Sequence, residues 1–166
     1  MKWVNHKAVG FALGLVITGN IFVAAGSAAL STIPDMIEGP DELKVLKHRG
    51  NSHNIWFWLP TFILPPIATF FFAPLLATQA EPMKTVITPH ILYLAATAWA
   101  IGIISHLLAD AMTVSGVPVS LDGKRKLALK LFKTGEYREH LMAAAILFWA
   151  LWLRGDSLFS ALSFFR

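Results

Sequence analysis

The sequence predicts an all-α, polytopic membrane helical bundle, with an N-terminal helical hairpin and broken helices, built as a single domain over residues 1–166. Three observations lead there. The 166 residues are 55% hydrophobic and only 14% charged, with a mean hydropathy of +0.58; soluble domains carry roughly a quarter charged residues. The apolar residues fall into long runs separated by polar segments. Turn and break signals interrupt those runs, namely Gly19-Asn20 and Pro60, Pro65, Pro66 and Pro74.

Residues 8–30 carry no charge. Read as one span they would separate His6 from Asp35 by a membrane thickness, about 30 Å. Read as two half-length helices, 8–18 and 21–33, turning at Gly19-Asn20, they return both residues to one face. The hairpin suits the chemistry below, and buried non-helical backbone is tolerated at membrane depth where protein covers it. Lys2 and Lys7 before the run, and Ala24-Ala25-Gly26-Ser27-Ala28-Ala29 within it, imitate a secretory signal. The run leads straight into a polar island, so it is expected to be retained.

Residues 31–54 form that island, punctuated by Pro34 and Pro40. Residues 55–78 are a second apolar run, opened by Trp56 and Trp58 as in an interfacial aromatic belt. Residues 79–90 make a polar turn, and 91–109 the cleanest spanning helix. Residues 111–140 are a second polar segment, 141–153 a short apolar helix, and 157–165 an apolar tail after Arg154-Gly155-Asp156. With the hairpin in place, every Lys and Arg except Lys84, Arg154 and Arg166 falls on one side. The positive-inside rule makes that side cytoplasmic. Every histidine but His90 falls there too. The run Lys124-Arg125-Lys126 reads as a contact with anionic membrane lipids rather than nucleic acid.

Without cysteine, any metal must be held by histidine and carboxylate. His106 and Asp110 lie at i and i+4 near the end of an apolar helix, so both reach one ion. Asp35 closes a helix, and Glu38 lies one turn on. His48 and His53 bracket Arg49-Gly50, where the glycine permits a tight turn that can aim both at one centre. Arg49 suits a phosphate or carboxylate. A pairing that merely ties helices together explains His106 and Asp110 equally well, and a solvated loop would explain His48 and His53 taken alone. Two such loops on one face weigh towards a site. His6, Glu136, Glu139 and His140 lie beside it, as ligands, orienting residues or boundary residues. His90 reads as structural.

The pattern Pro34-Asp35, His48-Arg49-Gly50-Asn51-Ser52-His53, Ser105-His106-Leu107-Leu108-Ala109-Asp110-Ala111-Met112-Thr113 and Gly116-Val117-Pro118 resembles the YdjM-like family of bacterial inner-membrane proteins, predicted metal-dependent hydrolases. The likeness spans nearly the whole chain; its most specific parts are HRG-x-[ST]-H and SH-x3-D-x2-T. More distantly, the order of ligands is similar to zinc-dependent phospholipase C and its related nucleases. The resemblance implies an all-helical metal site, a phosphoester substrate, and His6, Asp35, His53, His106 and Asp110 as ligands. Two departures stand out. The nearest counterpart of a second H-x3-D helix is Glu136-x3-His140, in reversed order, which favours one or two ions over three. Val119-Ser120-Leu121 replaces the proline and aromatic residues usual after Pro118.

The expectation is therefore a multi-pass bacterial inner-membrane hydrolase with its site at the cytoplasmic face, open to homo-oligomer formation. A divalent ion, zinc or manganese, would sit on His6, Asp35, His48, His53, His106 and Asp110. Arg49 would stabilise substrate charge, and Glu38 or Glu139 would act as base or orienter. The substrate would be a phospholipid or other lipid-linked ester. The alternative is a non-enzymatic membrane protein whose structural metal site docks a partner. An ion transporter fits less well, because few polar residues continue across the apolar runs.

Overall fold

The structure, a computed structural model, describes residues 1–38, 50–63, 67 and 89–163. Helix α1 (Trp3–Thr18) and helix α2 (Ile21–Leu30) form the expected hairpin. Gly19 takes a left-handed φ of 63° and its N–H bonds Leu15 O, a conformation that costs glycine nothing. The Asn20 side chain accepts from the N–H groups of Phe22 and Val23, so it caps α2. The turn thus satisfies much of its own backbone.

Small residues let the two helices meet. A Cβ on Gly10 would lie 2.8 Å from Ser27 O, and one on Gly14 would lie 2.7 Å from Ala24 Cα. Close packing of this kind drives helix association where no hydrophobic force is available. After Ser31 and Thr32 the chain re-enters a short helix α3 (Ile33–Ile37), with Pro34 in its first turn. A 3-10 turn (Asn51–His53) and helix α4 (55–63) follow.

Helix α5 (Pro89–Ala111) is the scaffold. Its residues His90–Ala111 are, among the described residues, the one helix long and apolar enough to cross a membrane. At 22 residues it extends about 33 Å. Its C-terminal end meets α3, the 51–53 turn and the start of α1. Helix α6 (Tyr137–Ser163) packs on α1. The expected end of the apolar helix falls where the helix breaks: Arg154 departs to φ −129°, ψ 19°, and a second helical stretch follows the kink through Ser163. No proline stands there, and an interior glycine costs only about 1 kcal/mol. Arg154 Nε donates to Val16 O at 3.3 Å, tying the bend to the far end of α1.

The all-α expectation is corrected in one place. Residues 111–132, read as a polar segment, fold back as an extended arm. Strand β1 (Val117–Pro118) pairs antiparallel with strand β2 (Lys126–Leu127). Leu129 N and Leu131 N bond Ala111 O and Met112 O, and Val114 N bonds Phe132 O. The alternation Lys126-Leu127-Ala128-Leu129-Lys130-Leu131 is the period of a strand. The protein is mostly helical, with this small ladder.

Two apolar clusters flank the end where the elements converge. One holds Met1, Val9, Ala109, Phe132 and Ala143; the other holds Trp58, Ile103, Leu107, Ala111 and Val117. Outside, large apolar side chains are exposed along α5 and α6, among them Tyr93, Leu108, Leu141, Phe148 and Trp152. Replacing Gly14 by valine is expected to lower stability by about 1–3 kcal/mol, because Ala24 backbone must retreat. Gly155→Ala, in open space, should instead raise it, by up to about 1 kcal/mol. Unfolding midpoints of the purified protein in detergent check this. Equal stability of Gly14→Val and wild type would contradict the close approach.

Candidate metal centre

The convergence of four segments brings imidazoles and carboxylates remote in the sequence to one point. Asp35 comes from α3, His53 from the 3-10 turn, His106 and Asp110 from the last turns of α5, and His6 from the first turn of α1. His6, His53 and His106 are fully buried, and Asp110 is 1% exposed. Two groups could each hold a metal ion: Asp35, His53 and His106, and His6, His106 and Asp110.

The first group has the spacing of a coordination shell. His53 Nε2 is 2.9 Å from His106 Nε2 and 3.2 Å from Asp35 Oδ1, and His106 Nε2 is 3.7 Å from Asp35 Oδ1. Ligands at about 2.1 Å from a tetrahedral ion lie about 3.4 Å apart. Asp110 Oδ2 stands 3.3 Å from His53 Nε2 and 3.9 Å from His106 Nε2. Asp110 Oδ1 turns to His6 Nε2 at 3.4 Å and to the amino group of Met1.

The surrounding groups fix which nitrogen faces the centre. A carbonyl can only accept, so His106 Nδ1 donates to Ser31 O at 2.6 Å and presents a bare Nε2. His53 Nδ1 faces Glu38 Oε1 at 2.9 Å, while Ser52 Oγ donates to the same oxygen at 2.6 Å. A carboxylate behind an imidazole is the common support of a metal-bound histidine. Trp58, itself buried, donates from Nε1 to Ser52 O and holds the turn in place. His6 stacks on His106 with ring centroids 3.8 Å apart. His6 Nδ1 makes no hydrogen bond, and Nε2 has only the 3.4 Å approach to Asp110 Oδ1. A buried nitrogen without a hydrogen bond is costly, and a cation beside His6 and Asp110 would relieve it. An N and O donor set without thiolate fits zinc or manganese.

Of the expected residues, His6, Asp35, His53, His106 and Asp110 come together, and Glu38 joins them as the support of His53. His48 and Arg49 lie outside the described residues. Glu139 does not enter either metal-holding group. Its carboxylate accepts from Lys2 N, Gly135 N and the Asn5 amide. Those donors tie the N-terminus to the start of α6 and occupy the lone pairs a base would use, so its role here is an anchor. Glu136 caps Lys133 N, and His140 Nδ1 meets Asn5 Oδ1 at 3.0 Å, so this pair also serves the junction.

Several contributors escape the sequence reading. Ser52 and Thr113 stand inside the two motifs, which is signal enough. Thr113 is buried and donates to Asp110 O at 2.8 Å, closing α5. Ser31 acts through its backbone carbonyl, which no side-chain pattern reveals.

In the protein alone, burial opposes charge on His53, but bonds and attraction to Asp110 and Asp35 outweigh it and raise its pKa to about 9. A cation must therefore displace that proton. Below about pH 9, affinity for zinc or manganese should rise by about tenfold per pH unit, and flatten above it. Calorimetric titration in buffers of different ionisation heat should detect proton release; a pH-independent affinity would remove His53 from the shell. Glu38→Gln should weaken metal affinity by about 10- to 100-fold, read in the same titration.

The family model described as YdjM inner membrane protein matches residues 1–165, so the chain belongs to that family, and its place is the membrane. No curated protein and no solved structure matches the chain.

Proposed function

We propose that this member of the YdjM inner membrane protein family is a multi-pass, metal-dependent hydrolase of lipid or lipid-linked esters or phosphoesters. The observation that carries the reading is the spacing of His53 Nε2, His106 Nε2 and Asp35 Oδ1, together with a buried His6 whose Nδ1 makes no hydrogen bond. One ion would be held by Asp35, His53, His106 and Asp110. His106 offers a single nitrogen, since its other one is committed to Ser31 O. A second ion would therefore depend on His6 and on Asp110 bridging with both oxygens. A bound divalent ion would polarise the substrate oxygen and lower the pKa of a water to give the nucleophile.

The chain's own groups do the positioning. Glu38 and Ser52 hold His53; Ser31 holds His106. Arg49 is assigned to the substrate's negative charge, from its place in the HRG-x-[ST]-H motif. Asp35, 14% exposed, is the side from which substrate approaches, since the imidazoles are closed off. Lys2, Lys7 and the cations of the 124–133 arm cluster at this end of the helices. By the positive-inside rule this end faces the cytoplasm.

The burial of three imidazoles favours one rival, a closed structural metal site that docks a partner. The two readings separate in one experiment. Protein purified in detergent is assayed for bound metal and for hydrolysis of fluorescent phospholipids, as wild type, His106→Ala, and His106→Ala with Asp110→Ala. The hydrolase reading expects stoichiometric metal and turnover, both lost in the variants. Metal bound at full occupancy with no turnover of any lipid ester supports the rival. Metal that persists in the double variant removes the site itself.

A further inference from the structure

Beside the metal-holding cluster lies an open pocket of about 190 Å³. Ile104 and Leu108 of α5 form one wall, Val117 and Leu127 of the ladder the other, and Ile55 and His53 reach its inner side. Apart from His53, every lining side chain is apolar. The pocket is held open by contacts that serve no core: Asn54 Nδ2 donates to Ser120 O at 2.8 Å and Trp56 Nε1 to Val119 O at 3.0 Å, fixing the arm across from α5. Pockets for whole drug-sized molecules run from about 300 to 1,000 Å³, so this one takes a length of chain and not a bulky headgroup.

We infer that this slot between α5 and the β1–β2 arm receives the acyl chain of an anionic lipid, holding the lipid beside the candidate centre. The inference rests on the hydrolase reading only for what happens at His53; the slot and its occupant stand on their own observations. Three of these fix the occupant. The outer wall belongs to the helix able to cross the membrane, with Ile104 and Leu108 partly exposed on it, so the slot opens where lipid tails are. The inner side includes His53, a residue of the candidate centre, so the slot lies beside it. Lys124, Arg125 and Lys126 are exposed at the turn of the ladder, next to Leu127. Lys124 has an ion-pair partner in Asp122 at 3.9 Å, but both are largely exposed, so the pair contributes little. That cluster complements a negative headgroup.

The physics also says what the slot is for. A lipid tail is as apolar as a leucine, so leaving the bilayer for the slot yields little driving force. The slot therefore sets where the lipid sits beside the candidate centre, while attraction of the headgroup to the cations supplies the preference for anionic lipid.

The test uses full-length protein in vesicles of phosphatidylethanolamine containing photoactivatable phosphatidylglycerol with a diazirine on one acyl chain. Labelled peptides are mapped by mass spectrometry beside bound-metal measurements, with the phosphatidylcholine analogue for comparison. Labelling is expected to concentrate on Ile104, Leu108, Val117 and Leu127, more with the glycerol headgroup than with choline. Leu108→Trp and Leu127→Trp, both at half-exposed positions where a larger side chain can be accommodated, should each abolish it and leave metal content unchanged. Even labelling of all lipid-facing residues of α5 and α6, unaltered by either tryptophan, would overturn the slot. Equal labelling by the two headgroups would overturn the anionic choice. Slot labelling in a protein that binds no metal would uphold the slot and sink the hydrolase reading; metal and lipid turnover without slot labelling would do the reverse.

Discussion

Asp110 is a carboxylate almost wholly shut away from water, and the end of the bundle is arranged around that fact. An ionised carboxylate moved into an apolar interior costs several kcal/mol even after relaxation. Here the cost is offset by groups from two other segments: the amino group of Met1 and His6 at the N-terminus, and His53 of the 3-10 turn. Both stretches are remote from Asp110 in the chain, so satisfying it is also what draws them together. Glu139 does the same a layer further out, holding Lys2, Asn5 and Gly135. Two buried carboxylates thus fasten the N-terminus to α5 and to α6.

The same arrangement makes one positive charge at the centre close to obligatory. Asp35 and Asp110 face His53 Nε2 at 3.2 and 3.3 Å, and a third neighbour there is the lone pair of His106 Nε2 at 2.9 Å. Three electron-rich atoms surround one position. A proton on His53 meets that need, and a divalent cation shared by all of them would meet it too. Any such cation would compete with the proton, whatever reaction follows.

Much of this is legible in the chain. The i, i+4 spacing of His106 and Asp110 places both on one helix face, and Gly19-Asn20 marks a turn whose backbone bonds can be closed locally. Both are short-range features, and sequence reports those well. The long-range ones are harder. Glu139 looks like a base because a carboxylate beside a histidine often is one; only the arrival of Lys2, Asn5 and Gly135 from elsewhere shows its oxygens in use. The arm over 111–132 looks like a charged loop, because its leucines alternate with lysines over too few residues to outweigh the charge. Arg154-Gly155-Asp156 looks like the end of a helix, and the helix does break at Arg154; the carbonyl of α1 that Arg154 meets there is invisible in the local pattern.

The deepest link between backbone and chemistry runs through Pro34. At the end of α2 the last carbonyls lack intrahelical partners. Proline at position 34 has no N–H, so it cannot close a tight turn onto the carbonyl of Ser31. That carbonyl instead accepts from His106 Nδ1, and the bond dictates that Nε2 of His106 carries a lone pair toward Asp35 and Asp110. The helix break does two things at once. It turns the chain so that Asp35 enters the cluster, and it releases the acceptor that sets the tautomer of the histidine facing it. Pro34-Asp35 and His106-x3-Asp110 are about seventy residues apart in sequence, yet each is needed for the other to present its ligand atoms. That interdependence is the physical content of two motifs that read, along the chain, as separate strings.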